Sequence, residues 1–144
     1  MSPYNGTDPG QFIVDFFGGF ERAVTDTEEE LGTIVDRFHT SDMVQYADGH
    51  RMDRAKLIAH LRPVRKKKPR SRLEVHEATA DGDLLAARYT MHVVRSGRSF
   101  SIDVHYFGRF APDGRLREAH QLTRMEKNPA GARDNGKESA EVPA

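Results

Sequence analysis

The sequence predicts an α+β domain, with helices in its first half and an antiparallel sheet in its second, and three observations predict it. Apolar residues recur at three- and four-residue spacing up to about residue 61. From about Arg70 the period shortens to two. The period-two stretches are separated by Asp81-Gly82-Asp83, Ser96-Gly97 and Pro112-Asp113-Gly114, tight-turn sequences that let neighbouring strands pair as a meander. At 144 residues the chain has the length of one domain.

The first helix is expected over residues 9–24. Asp8 serves as N-cap, Pro9 fills the first helical position, and Gln11 stands three residues after the cap. Phe12, Ile13, Phe16, Phe17, Phe20 and Val24 fall on one side of a 3.6-residue helix, so that side faces the core. Gly18 and Gly19 interrupt it, which signals close packing or a bend. A second helix is expected from Thr27, with Glu30 completing a capping box and Leu31, Ile34, Val35 and Phe38 turned inward, ending near His39. A short extended run, 43–47, closes on Asp48-Gly49, and a third helix starts at Asp53 with Leu57, Ile58 and Leu61 inward, until Pro63 ends or kinks it.

Strands are expected over 72–80, 84–95, 99–110 and 116–126. In the second of these, Leu85, Ala87, Tyr89, Met91 and Val93 alternate with Arg88, Thr90 and His92, so one face packs and the other meets solvent or a partner. Residues 1–126 form the domain. Residues 127–144 lack periodicity and are expected to be a flexible tail.

Composition excludes several functions. Lys+Arg and Asp+Glu both total 22, so no global basic field announces a nucleic-acid partner. The absence of cysteine removes disulfides, thiolate nucleophiles and thiolate metal sites. Seven histidines show no helical i, i+4 pair with a carboxylate, so no metal is expected. No phosphate loop, nucleophile elbow or dinucleotide fingerprint occurs, and a cofactor-free site is the simpler reading. The polar first ten residues are unlike a secretory leader and no stretch reads as a membrane span, so a soluble, cytoplasmic protein is expected. Arg62, Arg65, Lys66, Lys67, Lys68, Arg70 and Arg72 form a basic run that reads either as a phosphate contact or as a solvated loop joining the third helix to the sheet.

Three stretches, TSDMVQYADGHRMDRAKLIAHL, ADGDLLAARYT and RFAPDGRLREAHQL, resemble the punctuation of the nuclear-transport-factor-2-like superfamily, whose SnoaL-like members include polyketide cyclases and whose relatives include ketosteroid isomerases. The resemblance spans roughly residues 11–126 and implies a cone-shaped barrel, a curved antiparallel sheet wrapped around the N-terminal helices, enclosing a pocket for a small hydrophobic molecule. It also implies a homodimer through the outer face of the sheet, where His105, Asp103 and Arg109 are expected. Neither relative's catalytic pattern is complete. The isomerases' base aspartate falls on Ala47, with Asp48 one residue away, and their proton-holding acid falls on Tyr106. The cyclases' aspartate falls on Arg124, and His120 stands where many relatives carry an inward tryptophan.

The candidate catalytic residues are therefore His120 as acid/base, Tyr106 as hydrogen-bond donor to a developing oxyanion, and Asp48 as base or as orienter of the imidazole. Tyr106 and His120 are expected to converge, because Leu116, Glu118, His120 and Leu122 share one face of the last strand, as Phe100, Ile102, Val104 and Tyr106 do on its neighbour. Tyr46, His50, Tyr89, Phe16 and Phe20 are candidate ligand-lining residues. Against these stand plainer roles: a core imidazole for His120, packing for Tyr106, and a turn for Asp48. Two functions remain open, a cofactor-independent cyclase or isomerase acting on a polyketide-like or polycyclic substrate, and a non-catalytic module that binds a hydrophobic ligand or dimerises.

Overall fold

The structure is a computed structural model and describes residues 2–126; the expectation for residues 127–144 lies outside the described residues. Helices α1 (Pro9–Asp26) and α2 (Leu31–Phe38) lead into strands β1 (His39–Ala47) and β2 (His50–Asp53). Helix α3 (Arg54–Lys67) follows, then β3 (Arg70–Asp81), β4 (Leu84–Arg95), β5 (Arg98–Phe110) and β6 (Leu116–Met125). One curved, unclosed sheet holds all six strands in the order β2-β1-β6-β5-β4-β3. The architecture is the expected α+β class. The sheet is mixed rather than wholly antiparallel, because β1 runs parallel to β6. Among the described residues no helix is long and apolar enough to cross a membrane.

Two expected boundaries move. Thr27 ends α1 instead of opening α2: its hydroxyl donates to the Ala23 carbonyl at 2.7 Å, and α2 begins four residues later behind Glu30, whose side chain does not cap it. The extended segment starts at His39, directly from α2, and Asp48-Gly49 folds it back onto β2. Both turn residues have positive φ, 51° and 85°, the combination a two-residue hairpin of matching twist requires.

Helix α1 starts as expected, the Asp8 carboxylate accepting the Gln11 N–H at 3.1 Å. Its last turn carries no basic residue, and its free carbonyls are capped from elsewhere in the chain. Arg65 donates to the Val24 carbonyl and Lys68 to the Thr25 carbonyl, both at 2.8 Å, while Arg70 pairs with Asp26 at 2.8 Å. Cations at a helix C-terminus satisfy orphan carbonyls and oppose the negative end of the dipole. The basic run is thus more than a solvated loop, since Arg65, Lys68 and Arg70 are engaged at the end of α1. Helix α3 passes through Pro63 to Lys67 and, with the start of β3, clamps the end of α1.

The inner side of the sheet is filled by aromatic rings. Phe12 and Phe16 of α1 meet Phe110 edge-on at 5.0 and 5.4 Å between centroids, Phe17 meets Tyr106 at 5.6 Å, and Tyr4 closes over Phe12 and Phe110 at 5.0 and 6.1 Å. Such pairs add about 0.5–1.5 kcal/mol each beyond the area they bury. A second cluster, Phe20, Val24, Ile34, Val35, Met43, Leu57 and Leu61, joins α1 to α2, α3 and β1.

Gly108 makes this packing fit. The Tyr106 ring folds along its own strand over Gly108, so a β-carbon there would stand 2.7 Å from Cε2 and 2.8 Å from the hydroxyl oxygen, with Phe110 at 3.0 Å. Gly108→Ala is expected to destabilise the fold by about 1–3 kcal/mol, the usual range for overpacking. An unchanged urea midpoint would show that the Tyr106 ring is free to move aside.

His39 is buried where the two clusters meet, its ring edge-on to Phe16 and Phe20 and its Nδ1 3.0 Å from the Val35 carbonyl oxygen. Burial lowers its pKa from 6.5 to about 4, only partly opposed by the bond to Val35 and by Asp36. The unfolded chain takes up this proton near pH 6.5 and the folded chain does not until about pH 4. Stability is therefore full above 6.5 and declines as the pH falls to 4, by about 3 kcal/mol in total. A His39→Leu variant is expected to lose that part of the pH dependence in chemical denaturation; a profile parallel to wild type would assign the loss to other groups.

Candidate functional site

The expected convergence of Tyr106 and His120 does not form, and strand register gives the reason. Between β5 and β6 the pairing slips by one residue, Phe110 opposite Leu116 but Arg109 opposite Glu118. Arg117 is the extra residue of this bulge, and every side chain beyond it changes face. Ala119, Gln121, Thr123 and Met125 lie opposite the inward Gly108, Tyr106, Val104 and Ile102, while His120 and Leu122 lie opposite the outward Phe107 and His105. The sheet itself stands between the two candidates.

On the outer face His120 is exposed, stacks on Tyr46 at 4.8 Å between centroids and 18° between planes, and places Nε2 2.9 Å from Glu118. Tyr46 is therefore also an outer-face residue and does not line the interior. Asp48 sits at the positive-φ turn between β1 and β2, where one carboxylate oxygen accepts the Thr123 N–H at 2.8 Å and the other its hydroxyl at 2.6 Å. These bonds occupy the carboxylate in pinning β1 to β6, the turn role rather than the base role. His50 is exposed on β2, opposite Ala47.

Tyr106, Tyr89, Phe16 and Phe20 are inside, as expected. Tyr106 is 2 % exposed, and its hydroxyl makes no hydrogen bond among the described residues, nor does that of Tyr4. Burial raises the pKa of Tyr106, with neighbouring Tyr89 and Tyr4 adding to it, and burial raises that of Tyr89. These phenols stay neutral at physiological pH and can donate a hydrogen bond but not act as bases.

Two polar groups on the inner side escaped the sequence reading. Gln45 of β1 is buried, its amide nitrogen unpartnered among the described residues; period two from Met43 was the available signal. Glu21 of α1 accepts from both the backbone N–H and the hydroxyl of Ser71. It borders a cavity of about 50 Å³ between α1, α3, β3 and β4, lined chiefly by Phe17, Phe20, Leu61, Val64, Leu73 and Met91. That volume takes only a few heavy atoms, far below the ~300–1,000 Å³ of sites for drug-sized molecules. Among the described residues no three His, Asp or Glu side chains gather as metal ligands would.

The outer face is richer in chemistry. His76 Nε2 lies 2.8 Å from the Thr90 hydroxyl, which donates to Asp103 at 2.9 Å, and Arg124 donates to the same carboxylate at 3.0 Å, so a polar row crosses four strands. Asp103, His105 and Arg109 stand on this face, as expected.

Comparison with known proteins agrees with this architecture. A protein described as an isomerase from Rhodopseudomonas palustris superposes with a TM-score of 0.60 at 18% identity, over 78% of this chain and 88% of that one. One described as a SnoaL-like polyketide cyclase from Shewanella denitrificans OS-217 gives 0.60 at 16%, over 81% and 90%. Both descriptions are provisional. An LEH-like epoxide hydrolase from M. tuberculosis gives 0.58 at 17%, over 79% and 84%. At such identities the likeness is one of fold. No curated protein matches. The sequence model of the SnoaL-like domain matches residues 14–119, from the middle of α1 into β6, and the chain belongs to the SnoaL-like domain family.

Proposed function

We propose that this chain is a non-catalytic member of its family that works by pairing with a second copy of itself through the outer face of the sheet. The carrying observation is where the large exposed apolar side chains lie. Val94, Phe107 and Leu122, at 49, 52 and 67 % exposure, are all on the outer face of β4, β5 and β6, while aromatic rings occupy the inner side. Phe107 lies beside the Tyr46–His120 stack, His120 being its partner on β6, which makes the middle of the face aromatic.

The dimensions suit a dimer. Five strands about 4.8 Å apart and about ten residues long present roughly 800 Å², close to the ~800 Å² per partner of a standard interface. In a two-fold pair each patch meets its own copy, so a surface carrying both signs of charge can complement itself. Leu122→Glu and Phe107→Glu are each expected to turn a dimer into a folded monomer in sedimentation equilibrium. A wild-type chain that stays monomeric at micromolar concentration would sink the reading.

One observation favours a second reading, cofactor-independent acid/base turnover of a polyketide-like or polycyclic molecule: the Glu21 carboxylate at the edge of an apolar cavity, next to α3. The provisional cyclase and isomerase descriptions of the two relatives lend it support. A ligand of that size enters only if the α3 end and the turn before β3 swing outward. Aromatic polyketides or steroids should then raise Tm, and the cavity-filling Leu61→Trp should abolish the rise. No shift with either compound class would rule this reading out.

A further inference from the structure

We infer that pairing through the outer face is switched off by mild acid, and that four histidines make up the switch. The inference rests on the association reading above and supplies its regulator. His76, His92, His105 and His120 belong to β3, β4, β5 and β6 in turn, and all four stand on the outer face. The remaining histidines lie elsewhere: His39 in the interior, His50 on β2 and His60 on α3.

The fixed charges on the same face nearly cancel. Arg72, Arg88, Arg109 and Arg124 are matched by Glu74, Glu77, Asp103 and Glu118; Arg88 pairs directly with Glu77 and Arg124 with Asp103, while Arg109 shares Asp83 of the β3–β4 turn with Arg117. At the margins Arg70 is taken by Asp26 of α1, and Arg51 of β2 by Asp53. Asp81, opposite Leu84 at the end of β3, adds one further carboxylate, so with neutral imidazoles the face is close to neutral, and protonating the four adds four positive charges. Imidazoles change charge within about pH 5–8.

Each imidazole has a distinct setting. His120 stacks on Tyr46 and touches Glu118 at 2.9 Å. His92 touches Glu74 at 2.8 Å and Ser101 at 2.9 Å, with Arg72 its partner on β3. His76 is bonded to Thr90, whose hydroxyl is committed to Asp103. His105 makes no hydrogen bond among the described residues and lies between Arg88 on β4 and Leu122 on β6. A proton on His105 has no carboxylate bonded to it among the described residues, and its cross-strand partner Arg88 is itself committed to Glu77.

Two-fold pairing amplifies the change. Each face meets its own copy, so every proton gained by one chain is opposed by the same gain in the other, in an interface from which water has been excluded. Separation returns the imidazoles to water and lets them charge, so proton uptake and dissociation are linked. With one to two protons linked, the dissociation constant should rise about ten- to a hundredfold for each pH unit of acidification across the imidazole range.

The test is sedimentation equilibrium of the full chain at pH 8 and about pH 5.5 at fixed ionic strength, with a circular dichroism spectrum of each sample, since His39 weakens the fold in the same direction. Wild type is expected to be a dimer at pH 8 and a folded monomer at the lower pH. The quadruple variant His76→Gln, His92→Gln, His105→Gln, His120→Gln is expected to be a dimer at both, and the single variant His105→Gln to show a shallower dependence, which serves if the quadruple variant does not fold. A wild-type dimer equally tight at both values overturns the switch and leaves the association reading standing, as do variants that dissociate as steeply as wild type. A monomer at pH 8 overturns both.

Discussion

The contact between the phenylalanines of α1 and the inner face of β4 and β5 organises this molecule. Phe12, Phe16 and Phe17 project from one side of a single helix, and Tyr89, Tyr106 and Phe110 meet them from the sheet. Burying a side chain of this size contributes about 1.5–3 kcal/mol, and the rings pack edge to face, which fixes where the helix sits. Other features follow from that position. Gly108 must lack a side chain so that Tyr106 can lie flat along its strand, Tyr4 must close the end of the stack, and the exposed carbonyls of α1 must find donors in α3 and at the start of β3.

The same contact shapes the functional reading. A cone that holds a substrate keeps its axis open and lines it with a few polar groups, whereas here rings take the axis, the buried phenols are neutral donors, and the carboxylate at the cavity edge, Glu21, is taken up by Ser71. Chemistry-bearing side chains have collected on the opposite side of the sheet, where charges and imidazoles alternate along four strands. A surface so mixed in sign and so rich in aromatic carbon suits recognition of another protein surface, and a twin of itself satisfies the pattern without further assumption.

Much of this was legible in the residues. The heptad-like run of α1 declared its buried side, the Asp-Gly and Ser-Gly turns located the hairpins, and unbroken alternation in β4 and β5 assigned the faces of Tyr89 and Tyr106 correctly. The face of β6 was not legible. One extra residue at Arg117 reverses every side chain after it, and nothing in Leu-Arg-Glu-Ala-His-Gln-Leu marks the spot, because alternation reads equally well from Leu116 or from Ala119. Parity from Leu116 and the resemblance to relatives with an inward tryptophan both point His120 inside, and the bulge overrides both. The basic run resisted for a different reason: its partners are main-chain carbonyls some forty residues away, which no local pattern reveals.

The parallel pairing of β1 with β6 bears on how the chain reaches this state. The first helices with β1 and β2 form one local unit and the β3–β5 hairpins another, and within the sheet they are joined only through β6, the last of the strands in chain order. Val44 and Glu118, neighbours in that ladder, stand about seventy positions apart in sequence. Contacts of such separation are closed late and slow the search for the native state. During synthesis both halves are complete before β6 is made, and until it arrives β1 and β5 each present an unpaired edge. β6 thus acts as a keystone strand, and the interval before it slots into place is when this chain is most exposed to pairing with the wrong neighbour.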